Sequence, residues 1–127
     1  MRWRTDAGPG LGIESSPAVT PDNIVVFGSY DSAIWALNGS TGDRLWRWPT
    51  GGYVASAPAI DPAGRTVYIG GVDGLLYALA ASTGATQWTF NATSPQGVQA
   101  IWAPVALGAA GTRVFFGAGG EANPLAP

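Results

Sequence analysis

Apolar residues in this chain come in short runs, each closed by glycine, proline, asparagine, aspartate or serine. Runs of that kind, rich in β-branched and aromatic residues, read as strands punctuated by turns. The pattern predicts strands near residues 16–20, 24–29, 33–38 and 43–48. Pro21-Asp22-Asn23, Tyr30-Asp31-Ser32 and residues 39–42 supply the turns between them. A second set is predicted near 56–60, 66–70, 75–80 and 85–90, and two more strands near 101–107 and 113–117. No stretch of ten residues keeps a helical period free of glycine and proline, so the expected fold is all-β.

The same pattern repeats. Gly28 returns as Gly70, Asp31 as Asp73, Ala36-Leu37 as Ala78-Leu79, Thr41-Gly42 as Thr83-Gly84 and Trp46 as Trp88, each after 42 residues. Pro17, Pro58 and Pro104 form a looser series, as do Val26-Phe27-Gly28, Tyr68-Ile69-Gly70 and Phe115-Phe116-Gly117. Four antiparallel strands in about 42 residues make the blade of a β-propeller. A sandwich or a small barrel does not require one motif to return at a fixed offset. Trp3 precedes Trp46 by 43 residues, so residues 2–5 read as the last strand of a preceding blade. Residues 16–48 and 56–90 then form whole blades, 101–117 a half blade and 118–127 a flexible tail. About eleven strands result, short of the four to eight blades of a closed ring. The expectation is an incomplete propeller whose remaining blades come from the same longer chain or from other copies.

Composition narrows the chemistry. Six arginines, no lysine and eight acids leave a net charge of −2, which is not the basic footprint of a nucleic-acid binder. No apolar run approaches the length of a membrane span, and Met1-Arg2-Trp3-Arg4 does not lead into the apolar stretch of a secretory leader. Cysteine and histidine are absent, so the chain alone assembles no disulfide, thiolate nucleophile or histidine triad. Any general base must come from Asp6, Glu14, Asp22, Asp31, Asp43, Asp61, Asp73 or Glu121. Asp31 and Asp73 read as turn residues that satisfy backbone amides. Asn38-Gly39-Ser40 and Asn91-Ala92-Thr93 fit the glycosylation triplet, which matters only in a secreted eukaryotic protein.

The segment Ala36-Leu37-Asn38-Gly39-Ser40-Thr41-Gly42-Asp43-Arg44-Leu45-Trp46, repeated from Ala78 to Trp88, resembles the tryptophan-docking motif of pyrroloquinoline-quinone (PQQ) repeat propellers. That motif runs Ala-x-Asp-x-x-Thr-Gly-x-x-x-Trp. Gly42 and Gly84 make the tight turn, and Trp46 and Trp88, with Trp3 in the same part, are expected to pack between neighbouring blades. Trp35 and Tyr77, at equivalent positions, read as further core or blade-face residues. Asn38 and Ala80 replace the motif's aspartate, which predicts the loss of a turn hydrogen bond in both copies.

The third unit, Gln96-Gly97-Val98-Gln99-Ala100-Ile101-Trp102 followed by Pro104 and Phe115-Phe116-Gly117-Ala118-Gly119, is similar to one blade of quinoprotein alcohol and polyvinyl-alcohol dehydrogenases. In those enzymes a tryptophan forms the floor under the flat PQQ ring, and an asparagine supplies an oxygen to Ca²⁺. The resemblance assigns the floor to Trp102. For the metal it offers Asn123, with Glu121 as a second oxygen donor, although Gly120 stands where the family has asparagine. It implies a PQQ- and Ca²⁺-dependent oxidation of a small alcohol, with the catalytic carboxylate on blades outside this chain and the protein often periplasmic or secreted. The chain alone would be inactive and supplies no catalytic residue. The same repeat also resembles that of the bacterial outer-membrane assembly lipoprotein, a cofactor-free propeller that holds protein partners. Blade packing does not separate the two.

Overall fold

The computed structural model describes residues 2–7, 12–92, 94–95 and 97–119. Two four-stranded antiparallel sheets follow each other along the chain. The first has the order β1 (Ala18–Val19), β2 (Ile24–Ser29), β3 (Ala33–Asn38), β4 (Arg44–Pro49), and the second β5 (Ala59–Ile60), β6 (Thr66–Gly70), β7 (Leu75–Ala80), β8 (Thr86–Asn91). β9 (Ala106–Leu107) and β10 (Val114–Phe115) pair as the start of a third sheet, with a short 3-10 turn at Ala109–Gly111 between them. The first strands of the three sheets adjoin in turn, β1 against β5 and β5 against β9. They are the innermost strands, and β4 and β8 lie at the outer edge.

Burial follows from that arrangement. β3 and β7 are buried along almost their whole length because both faces of a middle strand meet another layer, while every residue of β8 is exposed. Val26, Ile34 and Trp46 of the first sheet pack against Val67, Ile69, Tyr77 and Leu79 of the second in one apolar core. At roughly 25 cal/mol for each Å² taken from water, such an interface between blades is the main force holding them together. The hairpins of the two blades are built alike. Gly42 and Gly84 sit at φ of +77° and +74°, and their N–H groups donate to the carbonyls of Asn38 and Ala80, each at 2.7 Å. Both blades also shift register at the same place, between Ala36 and Leu37 and between Ala78 and Leu79.

Several expectations need correction. The described residues hold ten paired strands where about eleven were expected; residues 2–7 make no strand pairing among the described residues, and Trp3 within them makes the docking contact on Gly42. The innermost strands are two residues long where five or more were expected. Pro17 and Pro58 immediately precede two of them and cannot donate to a ladder. Pairing also places Pro58 and Val105 at equivalent positions, since Ala59 faces Tyr68 as Ala106 faces Phe115. Pro104 is therefore one residue out of step with the other two prolines. Of the tail 118–127, residues 120–127 lie outside the described residues.

The docking turn departs from expectation in one copy only. Asn38 does what the motif's aspartate would do, as its Oδ1 accepts from the backbone N–H of Ser40 at 2.8 Å and of Thr41 at 3.2 Å. Ala80 has no side-chain acceptor, so the loss is real there.

Candidate functional site

Each blade begins with a lead-in segment that the preceding layers hold firmly. Val54 is fully buried, and a Cβ on Gly28 would lie 2.3 Å from its Cγ1. Ile101, also fully buried, stands against Gly70 in the same way, at 2.2 Å. Only glycine admits such plugs. Backbone bonds fix the segments: Val54 N–H donates to Ser29 O at 3.1 Å and Ile101 N–H to Gly71 O at 3.0 Å. Tyr30, Val72 and Gly119 donate in turn to the carbonyls of Gly12, Tyr53 and Ala100, one such bond in every unit.

The backbone holds the residues after Val54 and Ile101 in place, and the notch makes no demand on their side chains. Counting four back from Ala18, Ala59 and Ala106, this position holds Glu14, Ala55 and Trp102. Trp102 is 47% exposed beside its buried neighbour Ile101. Glu14 Oε2 accepts a 2.6 Å bond from the Tyr30 hydroxyl, and the Tyr30 ring stacks on Tyr53 at 4.9 Å and 14°. The bond to Glu14 is the main cause that raises the Tyr30 pKa above its ordinary value, with burial and the carboxylate charge adding to it. Ile13, Tyr53 and Val98 are exposed on the same lead-in segments. No sequence motif marks Tyr30, Tyr53 and Glu14 as a group, and their only signal is position: each lies next to a turn or plug of the repeat.

The other residues that the sequence points to fall elsewhere. Trp46 is 9% exposed, donates from Nε1 to Ala81 O at 2.8 Å and lies flat on Gly84 of the next blade. Trp3 makes the matching contact on Gly42, with its Nε1 donating to Gly39 O at 2.9 Å. Trp88 is 41% exposed and tilted against Tyr68 at 5.8 Å. A cavity of about 230 Å³, lined by Trp3, Ile13, Val25, Phe27 and Leu37, lies on the first blade beside Trp3.

The two turn aspartates divide. Asp73 accepts from the N–H groups of Leu75 at 3.1 Å and Gly51 at 3.0 Å, and from the Tyr77 hydroxyl. Burial, and then this bond, push the Tyr77 pKa far above the usual tyrosine range. Asp31 was expected to serve amides in the same way. Its Oδ2 takes side-chain donors instead, Trp35 Nε1 at 3.0 Å and Arg47 Nη2 at 3.2 Å. Arg47 reaches across from β4, where the second blade has the uncharged Thr89. Trp35 and Tyr77, both buried, thus bond the turn aspartate four residues before them.

Asn123 and Glu121 lie outside the described residues. Among the described residues no group of three acidic, histidine or cysteine side chains could hold a metal ion. No described helix is long and apolar enough to cross a membrane.

Comparison with known proteins agrees with the blade geometry. The structure is similar to that of quinohemoprotein alcohol dehydrogenase from Comamonas testosteroni, with a TM-score of 0.72, 27% identity, and 86% of this chain but 17% of that one covered. It is also similar in fold to BamB from Moraxella catarrhalis, at a TM-score of 0.65 and 22% identity over 80% of this chain and 33% of that one. Among curated proteins, Rv3035 of Mycobacterium tuberculosis is 35% identical over 77 residues, and the chain spans 18% of its length. Residues 1–125 match the profile of a PQQ-repeat family described as outer membrane protein assembly factor BamB, and the chain belongs to that family of propellers.

Proposed function

We propose that this chain is a segment of a PQQ-dependent dehydrogenase propeller and that Trp102 provides the floor for the planar cofactor. The observation that supports this most is the state of Trp102. Its backbone is pinned by the Ile101 plug, its ring is half exposed, and the equivalent positions of the other two blades carry Glu14 and Ala55. A rigidly placed, open indole face suits a flat tricyclic ring. PQQ, when bound, supplies the two-electron acceptor for oxidation of an alcohol. The residues of this chain bind and orient; none is proposed as catalytic. The Ca²⁺ part of the proposal rests on Asn123 and Glu121, which the resemblance to the dehydrogenase blade offers as oxygen donors. Titration with PQQ in the presence of Ca²⁺ should quench tryptophan fluorescence, and Trp102→Ala should remove that quenching. No quenching at any calcium concentration would end the proposal for this chain.

A second reading, a cofactor-free scaffold that grips a protein partner, is favoured by the family match and by one structural feature. Ile13, Tyr53, Val98 and Trp102 leave apolar side chains exposed on successive lead-in segments, a surface suited to protein contact. Unchanged fluorescence with PQQ, together with loss of partner capture in Tyr53→Ala, is the outcome this second reading expects.

A further inference from the structure

We propose that copies of this protein associate edge to edge through β8, forming an antiparallel pair that joins two blades into one continuous sheet. Among the described residues the fourth strand of each blade has a sheet neighbour on one side only. Its outer row of N–H and C=O groups is a template for another strand. Adding blades around the ring covers blade faces and leaves this edge open, so the edge persists whatever the ring size.

The two outer strands differ in how they are guarded. β4 reads Arg44-Leu45-Trp46-Arg47-Trp48-Pro49, with two guanidinium groups, that of Arg47 paired with Asp31, and a closing proline. Charge and proline on an edge strand are the devices that keep it single. Forty-two residues on, Thr86, Thr89 and Asn91 occupy the positions of Arg44, Arg47 and Pro49. β8 therefore reads Thr86-Gln87-Trp88-Thr89-Phe90-Asn91, six exposed residues with no charge and no proline, rich in aromatic and β-branched side chains. One fold thus contains a guarded edge and an unguarded one at the same place in the blade.

Charge also selects the occupant. A two-fold antiparallel pair lays a strand against its own copy, so like charges from the two copies gather along one seam. Two β4 edges would bring arginines together. Two β8 edges meet without repulsion, and the pair closes at two copies because each copy presents one unguarded outer strand among those described.

The test is sedimentation equilibrium on the intact chain, its Thr86→Arg/Thr89→Arg variant and an Ile13→Asp control. The two arginines are those the first blade already carries at these positions, so the strand should accept them. Ile13 is exposed beside the cavity on the first blade's other apolar surface. The expected result is a concentration-dependent dimer in the parent and in Ile13→Asp, abolished in Thr86→Arg/Thr89→Arg. Hydrogen exchange of β8 amides should slow as the dimer forms, and that of β4 amides should not. A dimer that survives the two arginines, or one lost only in Ile13→Asp, would place association on a blade face and overturn the proposal. A monomer at every concentration would also overturn it, and would leave the β8 edge to an extended segment of another protein.

Discussion

The contact between Trp46 and Gly84 allows a quantitative test of how the blades are joined. A Cβ added to Gly84 would lie 2.7 Å from Cδ2 and 2.8 Å from Cε3 of the Trp46 indole, and Gly84 holds φ at +74°. Alanine in that left-handed region costs about 1–2 kcal/mol without any clash. The indole must also retreat, which breaks the buried 2.8 Å bond from its Nε1 to Ala81 O. A buried donor left unpaired costs about 1–3 kcal/mol. Gly84→Ala should therefore destabilise the chain by about 2–5 kcal/mol. Trp46→Ala removes a buried aromatic ring and should cost about 3–5 kcal/mol. These costs overlap, because once the indole is gone the new methyl has room and only backbone strain remains. The double variant should be less destabilised than the sum of the singles by about 1–3 kcal/mol. Urea unfolding of the parent, the two single variants and the double, followed by far-ultraviolet circular dichroism, measures all four corners. Additivity within about 0.5 kcal/mol would mean that methyl and indole do not compete for one space, and the docking account would fail.

Other outcomes follow from neighbouring geometry. Trp88→Ala should cost about half as much as Trp46→Ala or less, since its ring remains 41% exposed, and the same unfolding assay checks it. Tyr77 holds its proton more tightly folded than unfolded, so the stability it contributes is complete below pH 10.0 and falls as pH rises further. Tyr77→Phe should flatten that alkaline decline in unfolding midpoints measured across pH. Ala80→Asn should restore the acceptor that Asn38 supplies to its turn and raise stability by about 0.5–1.5 kcal/mol, whereas Asn38→Ala should lower it by a similar amount. Trp102→Ala should change the unfolding free energy by no more than about 0.5 kcal/mol, which separates a ligand-facing ring from a structural one.

What the sequence makes legible depends on how many neighbours constrain each residue. β2, β3, β6 and β7 begin and end where the apolar runs predict, because they are enclosed by a layer on either face and cut off by tight turns. The inner strands are shorter than their apolar runs. Those apolar residues are real, but the extended chain around them bonds across to the neighbouring blade instead of along a ladder: Ser15 Oγ donates to Ser56 O and Val105 N–H to Ala57 O. Period-two reasoning does not distinguish those two uses of an extended chain. Asn38 departs from expectation for a simpler reason, since an amide oxygen accepts a turn hydrogen bond as well as a carboxylate does. The unequal exposure of Trp46, Trp88 and Trp102 is invisible in the sequence, because it depends on which blade stands against each ring.

The candidate site lies where the repeat stops constraining the chain. Glycine notches at 28 and 70 dictate the plugs Val54 and Ile101, and the hairpin glycines dictate the docking tryptophans. The position after the plug inherits a fixed backbone from those contacts and owes nothing to them in its side chain. One scaffold therefore presents Ala55 and Trp102 at successive stations with equal rigidity, and Glu14 at the corresponding place on the first blade, where Ile13 stays exposed. The spacing carries the same message. Ala59 follows Ala18 by 41 residues, whereas Ala106 follows Ala59 by 47, and the added length falls in the segment that delivers Trp102. A repeat keeps its period where packing demands it, so departure from the period is the better guide to chemistry. By that criterion the 92–105 segment, more than the docking motif, decides whether this propeller binds a planar cofactor or a protein partner.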